Sequence, residues 1–288
     1  MPLNLDAIGT QTEPQAREWS SRDALLYAVA VGAGDPDPTR DLAMTTENSA
    51  GIVQQVLPTF CTLLGAGGAL QGIGAFNPAM LVHAEQQIAV PAPLPVQGRA
   101  NVVGRLVDIL DKRSGALVVT ETEARDATTD AVLFTARSSV FIRGEGGFGS
   151  TATASSEPAA PDREPDEVVS LETRPNQALL YRLCGDRNPL HSDPSFAARA
   201  GFDRPILHGL CTYGITGRAL ARALCDDDPT RLRAMSGRFT APVTPGETLA
   251  TEVWRDGEHG GATRAFFRVR SSGGAVVLDR GTCEVAAG

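Results

Sequence analysis

The chain has 288 residues, 42% hydrophobic and 21% charged, with a net charge of −8, enough for one large domain or two ordinary ones with real cores. The acidic balance argues against a general grip on nucleic acid, whose phosphates need a basic face. No apolar run is long enough to span a bilayer, so no membrane partner is expected.

In chain order, the opening MPLNLDAIGTQTEP lacks the basic and apolar blocks of a signal peptide, and cytoplasm is the expected location. A first segment, Ala24-Leu25-Leu26-Tyr27, leads to Gly34-Asp35-Pro36. Strand-like stretches then follow at 100–108, 116–125 and 131–143, rich in Val, Leu and Thr and broken by DKRSG and DATTD turns. From Gly144 to Pro165 hydrophobic periodicity stops, and Gly gives way to Ser, Ala and Pro, which reads as a linker. The expected division is a first domain at 1–145, a linker at 146–165 and a second domain at 166–288.

The second half repeats the first. Ala178-Leu179-Leu180-Tyr181 leads to Gly185-Asp186, Leu207-His208-Gly209 echoes Val82-His83-Ala84, and Pro242-Val243-Thr244-Pro245-Gly246 echoes Pro93-Leu94-Pro95-Val96-Gln97-Gly98. Strand-like stretches recur at 248–254, 262–269 and 275–285, broken by DGEHGG and SSGG. Short matches in the same order point to a duplicated unit. Several antiparallel strands after a helical segment predict an α+β fold.

The copies differ in one place. Pro242 follows His208 by 34 residues, whereas Pro93 follows His83 by only 10. The longer interval holds GLCTYGITGRALARAL, apolar at helical spacing. Without that helix the first sheet should carry a cavity, unless the segment 51–65 packs there.

Chemistry concentrates in Y-R-L-C-G-D-R-N-P-L-H-S-D-P, where Asp186, Asn188 and His191 fall on a Gly/Pro-punctuated loop. The same residues fit an Asx turn, and Asp193-Pro194 fits a helix start. The first copy keeps Gly34-Asp35 but has Arg40 where a counterpart of His191 would fall. A turn device should survive duplication in both copies, whereas a catalytic pair need survive in one. The cysteines (Cys61, Cys184, Cys211, Cys225, Cys283) are scattered without CxxC spacing, which fits a reducing compartment and offers no zinc cage. Among 26 basic residues Lys112 is the lone lysine.

The loop resembles the signature of MaoC-like, R-specific enoyl-CoA hydratases of the hydratase 2 family. The resemblance extends through Ile206–Gly214, Arg238–Leu249, Leu81–Gln86, Leu110-Asp111-Lys112 and Gly146–Gly149. It implies a double hot dog, in which each half lays an antiparallel sheet around a central helix that is reduced or displaced in the first half. It also implies addition of water to a trans-2-enoyl-CoA to give a (3R)-3-hydroxyacyl-CoA. Asp186 and His191 would be the acid/base pair, Asn188 would fix the water or the loop, and the backbone N–H of Gly209 would meet the thioester oxygen. His83, Ala84, Lys112 and Phe239 would contact CoA or the acyl group; the family usually has Gly at the position of Ala84. No metal and no separate cofactor are expected, the partner is the acyl-CoA substrate, and the chain is expected to form a homodimer. Two alternatives stay open: the reverse dehydration of a 3-hydroxyacyl thioester, and a non-catalytic acyl-thioester-binding subunit.

Overall fold

A computed structural model describes residues 3–65, 68–149 and 158–287. Ten strands form one antiparallel sheet in the order β1-β3-β4-β5-β2-β7-β10-β9-β8-β6. The first half supplies β1 (Gln15–Trp19), β2 (Leu81–Ala89), β3 (Gly98–Asp111), β4 (Gly115–Asp126) and β5 (Val132–Arg143). The second supplies β6 (Glu167–Glu172), β7 (Leu232–Phe239), β8 (Thr248–His259), β9 (Ala262–Ser271) and β10 (Val276–Ala286). The halves meet edge to edge where β2 pairs with β7, from Glu85 opposite Arg238 to Ala89 opposite Ala234.

The expected strands form because their alternation buries one face. In β9, Ala265, Phe267, Val269 and Ser271 point inward between more exposed neighbours, the period of two that a half-buried sheet requires. β8 runs further than its sequence suggests, to His259, and Gly260-Gly261, both at positive φ, make the turn.

The predicted helix is α6, Gly209–Leu224, buried along most of its length. The shorter helices are α1 (Ser21–Ala30), α2 (Leu42–Thr45), α3 (Cys61–Leu64), α4 (Gln177–Tyr181) and α5 (Pro194–Arg199). The repeat is visible in three dimensions: α1 and α4 bring the matching Tyr27 and Tyr181 together edge-on, with ring centroids 6.2 Å apart. Arg218 of α6 donates to Asp41 at 2.7 Å, a buried ion pair between the halves. No helix among the described residues is long and apolar enough to cross a membrane.

The cavity expected over the first sheet, where the helix is missing, is filled on the face that carries the core. α3 packs on β5, and Phe60 and Leu64 share the buried core with Phe134 and Ala124, so α3 and the turn before it stand where the second half has its helix. Leu3, Ala7 and Ile73 close the rest against Leu106, Ile109, Ala116, Val118 and Ile142. The stretch that reads as linker is anchored at its start: the N–H groups of Gly147 and Gly149 donate to Asp111, and Phe148 packs on the second cluster. Residues 150–157 of that stretch lie outside the described residues.

Candidate active site

The loop between α4 and α5 forms the turns and the helix start that its sequence spells out. Gly185 turns the chain at φ 125°. Asp186 Oδ1 then accepts the N–H of Asn188 at 3.1 Å, and Asn188 Oδ1 accepts the N–H of Leu190 at 3.0 Å. These two Asx turns aim the loop. Asn188 thus spends its carbonyl oxygen on the backbone, while Asp186 keeps one carboxylate oxygen for other partners. Asp193 caps α5 through the N–H groups of Ser195 and Phe196, with Pro194 at the first helical position.

His191 is inward-facing and buried, and its Nδ1 lies 2.9 Å from the carbonyl oxygen of Ile206. A carbonyl can only accept, so Nδ1 carries the proton and Nε2 keeps a lone pair. Burial pushes this imidazole below its ordinary range, against the opposing pull of the Ile206 carbonyl and the Asp186 charge. At neutral pH the ring is an unprotonated base. Behind it His208, 1% exposed, stacks at a centroid distance of 3.8 Å.

Gly209 opens α6 directly after His208. The first N–H groups of a helix lack intrahelical partners and carry its positive end. Those of Cys211 and Thr212 return to the His208 carbonyl, while Gly209 and Leu210, the two residues before them, line the cavity. A methyl group on Gly209 would sit 3.3 Å from the Phe239 ring, so the bare backbone keeps this approach open.

Two cavities meet here. The inner one, about 320 Å³, is lined by Asp186, Asn188, His191, Gly209, His83 and Phe239, with Leu190, Phe202 and Val243 as apolar wall. The outer one, about 730 Å³, lies over strands of the first half and is lined by Ala84, Lys112, Leu117, Val119 and Ser139. Val82, His83 and Phe239 line both. A β-bulge between His83 and Glu85 makes this possible, because an extra residue re-aims the side chains on either side of it. His83, its ring 4.9 Å from Phe239, therefore reaches the inner cavity as well as the outer, while Glu85 lines the outer one. Burial lowers the His83 imidazole to about 4, and its Nε2 meets the Glu85 carbonyl at 3.0 Å and the Ser138 hydroxyl at 2.9 Å.

The structure thus brings Asp186, Asn188, His191, Gly209, His83, Ala84, Lys112 and Phe239 to one of two adjoining cavities. Sequence reasoning missed three features of them. His208 backs the loop that carries Asp186 and His191, Arg143 lines the inner cavity, and Arg238 donates to Glu85 at 2.9 Å across the joint between the halves. The last needs the β2–β7 register, which no local pattern announces.

Asp186, His191 and His208 form the one group of potential metal donors among the described residues, with donor atoms within 4.8 Å of one another. A transition ion needs lone pairs that converge at about 2.0–2.2 Å. Stacked imidazoles present theirs side by side, and one nitrogen of each ring already faces a carbonyl. The arrangement suits proton transfer better than ligation.

The chain is similar to known proteins along most of its length. Residues 18–144 match the MFE-2 hydratase 2 N-terminal domain, and residues 156–272 match the MaoC like domain. The chain is 48% identical to 3-hydroxyacyl-thioester dehydratase Y of Mycobacterium tuberculosis, over 100% of both chains. It is 38% identical to the peroxisomal enoyl-CoA hydratase 2 of Arabidopsis thaliana over 88% of each. A crystal structure of a MaoC-like dehydratase from Phytophthora capsici superposes with a TM-score of 0.86 at 31% identity, covering 98% of each chain. The fold is a double hot dog, and the chain belongs to the MaoC-like, hydratase 2 family.

Proposed function

We propose that the chain is an R-specific 2-enoyl-CoA hydratase that adds water to trans-2-enoyl-CoA and releases (3R)-3-hydroxyacyl-CoA. The observation that carries this reading is the commitment of His191 Nδ1 to the Ile206 carbonyl, which leaves Nε2 as a base beside Asp186 and opposite the opening of α6.

In the resting site neither the Asp186 carboxylate nor the neutral imidazole has an acidic proton to give. The proton delivered to C2 must therefore come from the water itself. Water held between Asp186 and His191 passes one proton to Nε2 as its oxygen bonds to C3. The C2–C3 π pair moves toward the thioester, whose oxygen gains charge facing the N–H of Gly209. The imidazolium, steadied by Asp186, returns the proton to C2. Asn188 holds the loop that presents both groups. The acyl chain takes the inner cavity, and the pantetheine arm passes between His83 and Phe239 into the outer groove past Ala84 toward Lys112. In this division the first half binds CoA and the second carries the chemistry, with 146–165 joining them. The reaction calls for no separate cofactor.

The same groups run the reverse dehydration by microscopic reversibility, and the name of the 48% identical relative favours a 3-hydroxyacyl thioester as a physiological substrate. Intact Asp186 and His191 argue against a non-catalytic binding subunit. A cytoplasmic homodimer is the proposed working form. The test is incubation with trans-2-enoyl-CoAs of increasing chain length and chiral resolution of the products. The (3R) alcohol is expected; the (3S) alcohol, or no hydration at any length, contradicts the reading.

A further inference from the structure

Three features meet at His208. Its Nε2 lies 3.2 Å from the backbone carbonyl oxygen of Asp186, its ring stacks on His191, and its own residue is the N-cap of α6. The side chain is 1% exposed and lines neither of the two cavities, so it acts on no substrate directly.

We propose that His208 is a positioning residue for the acid–base pair, with Nε2–H donating to the Asp186 carbonyl to fix the catalytic loop against the start of α6, and the ring backing His191. A carbonyl only accepts, so Nε2 bears the proton and Nδ1 is bare; that atom is buried without a partner. Leaving a buried polar atom unpaired costs stability, and a phenyl or aliphatic side chain at this position would avoid that cost. The cost is balanced by the one hydrogen bond that ties Asp186 to the helix carrying Gly209. Tyr181, whose ring lies 4.8 Å from His208, holds the opposite side. The groups that face the imidazole are His191, Asp186 and, more distantly, Arg182. Burial, with the Arg182 charge acting in the same direction and the Asp186 charge opposing it, keeps His208 neutral, the form with one donor and a ring able to stack on a second neutral ring.

The two matched histidines have therefore diverged. His83 turns its ring to Phe239 at the cavity, while His208 withdraws behind the chemistry.

This inference rests on the assignment of Asp186 and His191 as the acid–base pair, and its test separates the two. His208→Gln keeps a donor at the position of Nε2, and His208→Met has nearly the same shape without one. Both lose the ring, so the difference between them reads the hydrogen bond. Displacing a catalytic group by about an ångström costs roughly 10²-fold in rate. His208→Met should therefore lose turnover on that order, with KM for enoyl-CoA within a factor of about two of wild type. His208→Gln should recover about tenfold or more of the lost kcat. Thermal midpoints and circular dichroism confirm that both variants are folded. Met turnover within about threefold of wild type overturns the proposal, as does an equal fall in the two folded variants. Neither outcome touches the acid–base assignment, which stands or falls on substitutions of Asp186 and His191 themselves.

Discussion

Asp186 and His191 share an economy: each takes a backbone partner through one polar atom of its side chain and keeps a second polar atom. Asp186 Oδ1 holds the Asn188 N–H, and His191 Nδ1 holds the Ile206 carbonyl. The turns of the loop were legible in the sequence because Asp and Asn two residues apart spell out the Asx turns that form there. The partners were not: Ile206 and His208 reach the loop only through the fold, from 15 and 22 residues away. The environment of His191 has a consequence for pH. Burial lowers its imidazole from the ordinary value near 6.5, and the reaction needs it unprotonated, so activity should survive mild acid. The acid limb of kcat/KM, which reports the free enzyme, should lie below about pH 6.5; a limb above that value contradicts the assigned base. Stability follows the same sign. His83 titrates at about 4 in the fold and near 6.5 when unfolded, so the unfolded chain binds more protons between these values. Its contribution is complete above about pH 6.5 and is lost as pH falls through about 4.

Lys112 poses a different question at the same scale. It lies in the β3–β4 turn, lines the outer cavity and has no side-chain partner among the described residues. A compact ammonium suits a phosphate or a carbonyl, and a protein of charge −8 needs local cations to hold an anionic coenzyme. Lys112→Ala should raise KM for enoyl-CoA several-fold with kcat largely kept, and the effect should shrink at high salt. Unchanged KM at low salt removes Lys112 from the binding site.

Among the elements, α6 and the long outer strands were readable, because each buries a single face and so prints its period on the sequence. β2 and β7 were not, although they lie at the centre of the sheet. Both line cavities, so Glu85, Gln86, Gln87 and Arg238 replace the apolar alternation that would have marked them. The glycines of α6 also have a structural cause that spacing alone does not show. An added methyl at Gly214 would lie 2.6 Å from the Tyr27 hydroxyl and 2.7 Å from Val31. Alanine gains about 1 kcal/mol of helix propensity over glycine, yet overpacking a core costs about 1–3 kcal/mol. With contacts this short overpacking should win, so Gly214→Ala should lower the urea midpoint; a midpoint equal to or above wild type contradicts the packing argument.

Across the whole molecule, duplication explains how the cavities are built. Two copies joined through β2 and β7 place a cavity at their seam. One copy keeps the Asp/His loop and the central helix, while the other fills the helix's place with residues 57–64 and 70–76 and offers its outer sheet face to the groove. The inner cavity draws on both copies, with His83 from one and His191 from the other, so the site exists only in the joined chain. The central claim is that Asp186 and His191 move the proton of hydration, and turnover of a trans-2-enoyl-CoA by Asp186→Asn, followed as loss of enoyl absorbance, tests it most directly. The substitution keeps the Oδ1 acceptor for the Asn188 N–H, so the loop should hold its shape while turnover falls by roughly 10²–10⁴; a folded Asp186→Asn protein that hydrates at the wild-type rate would contradict the account.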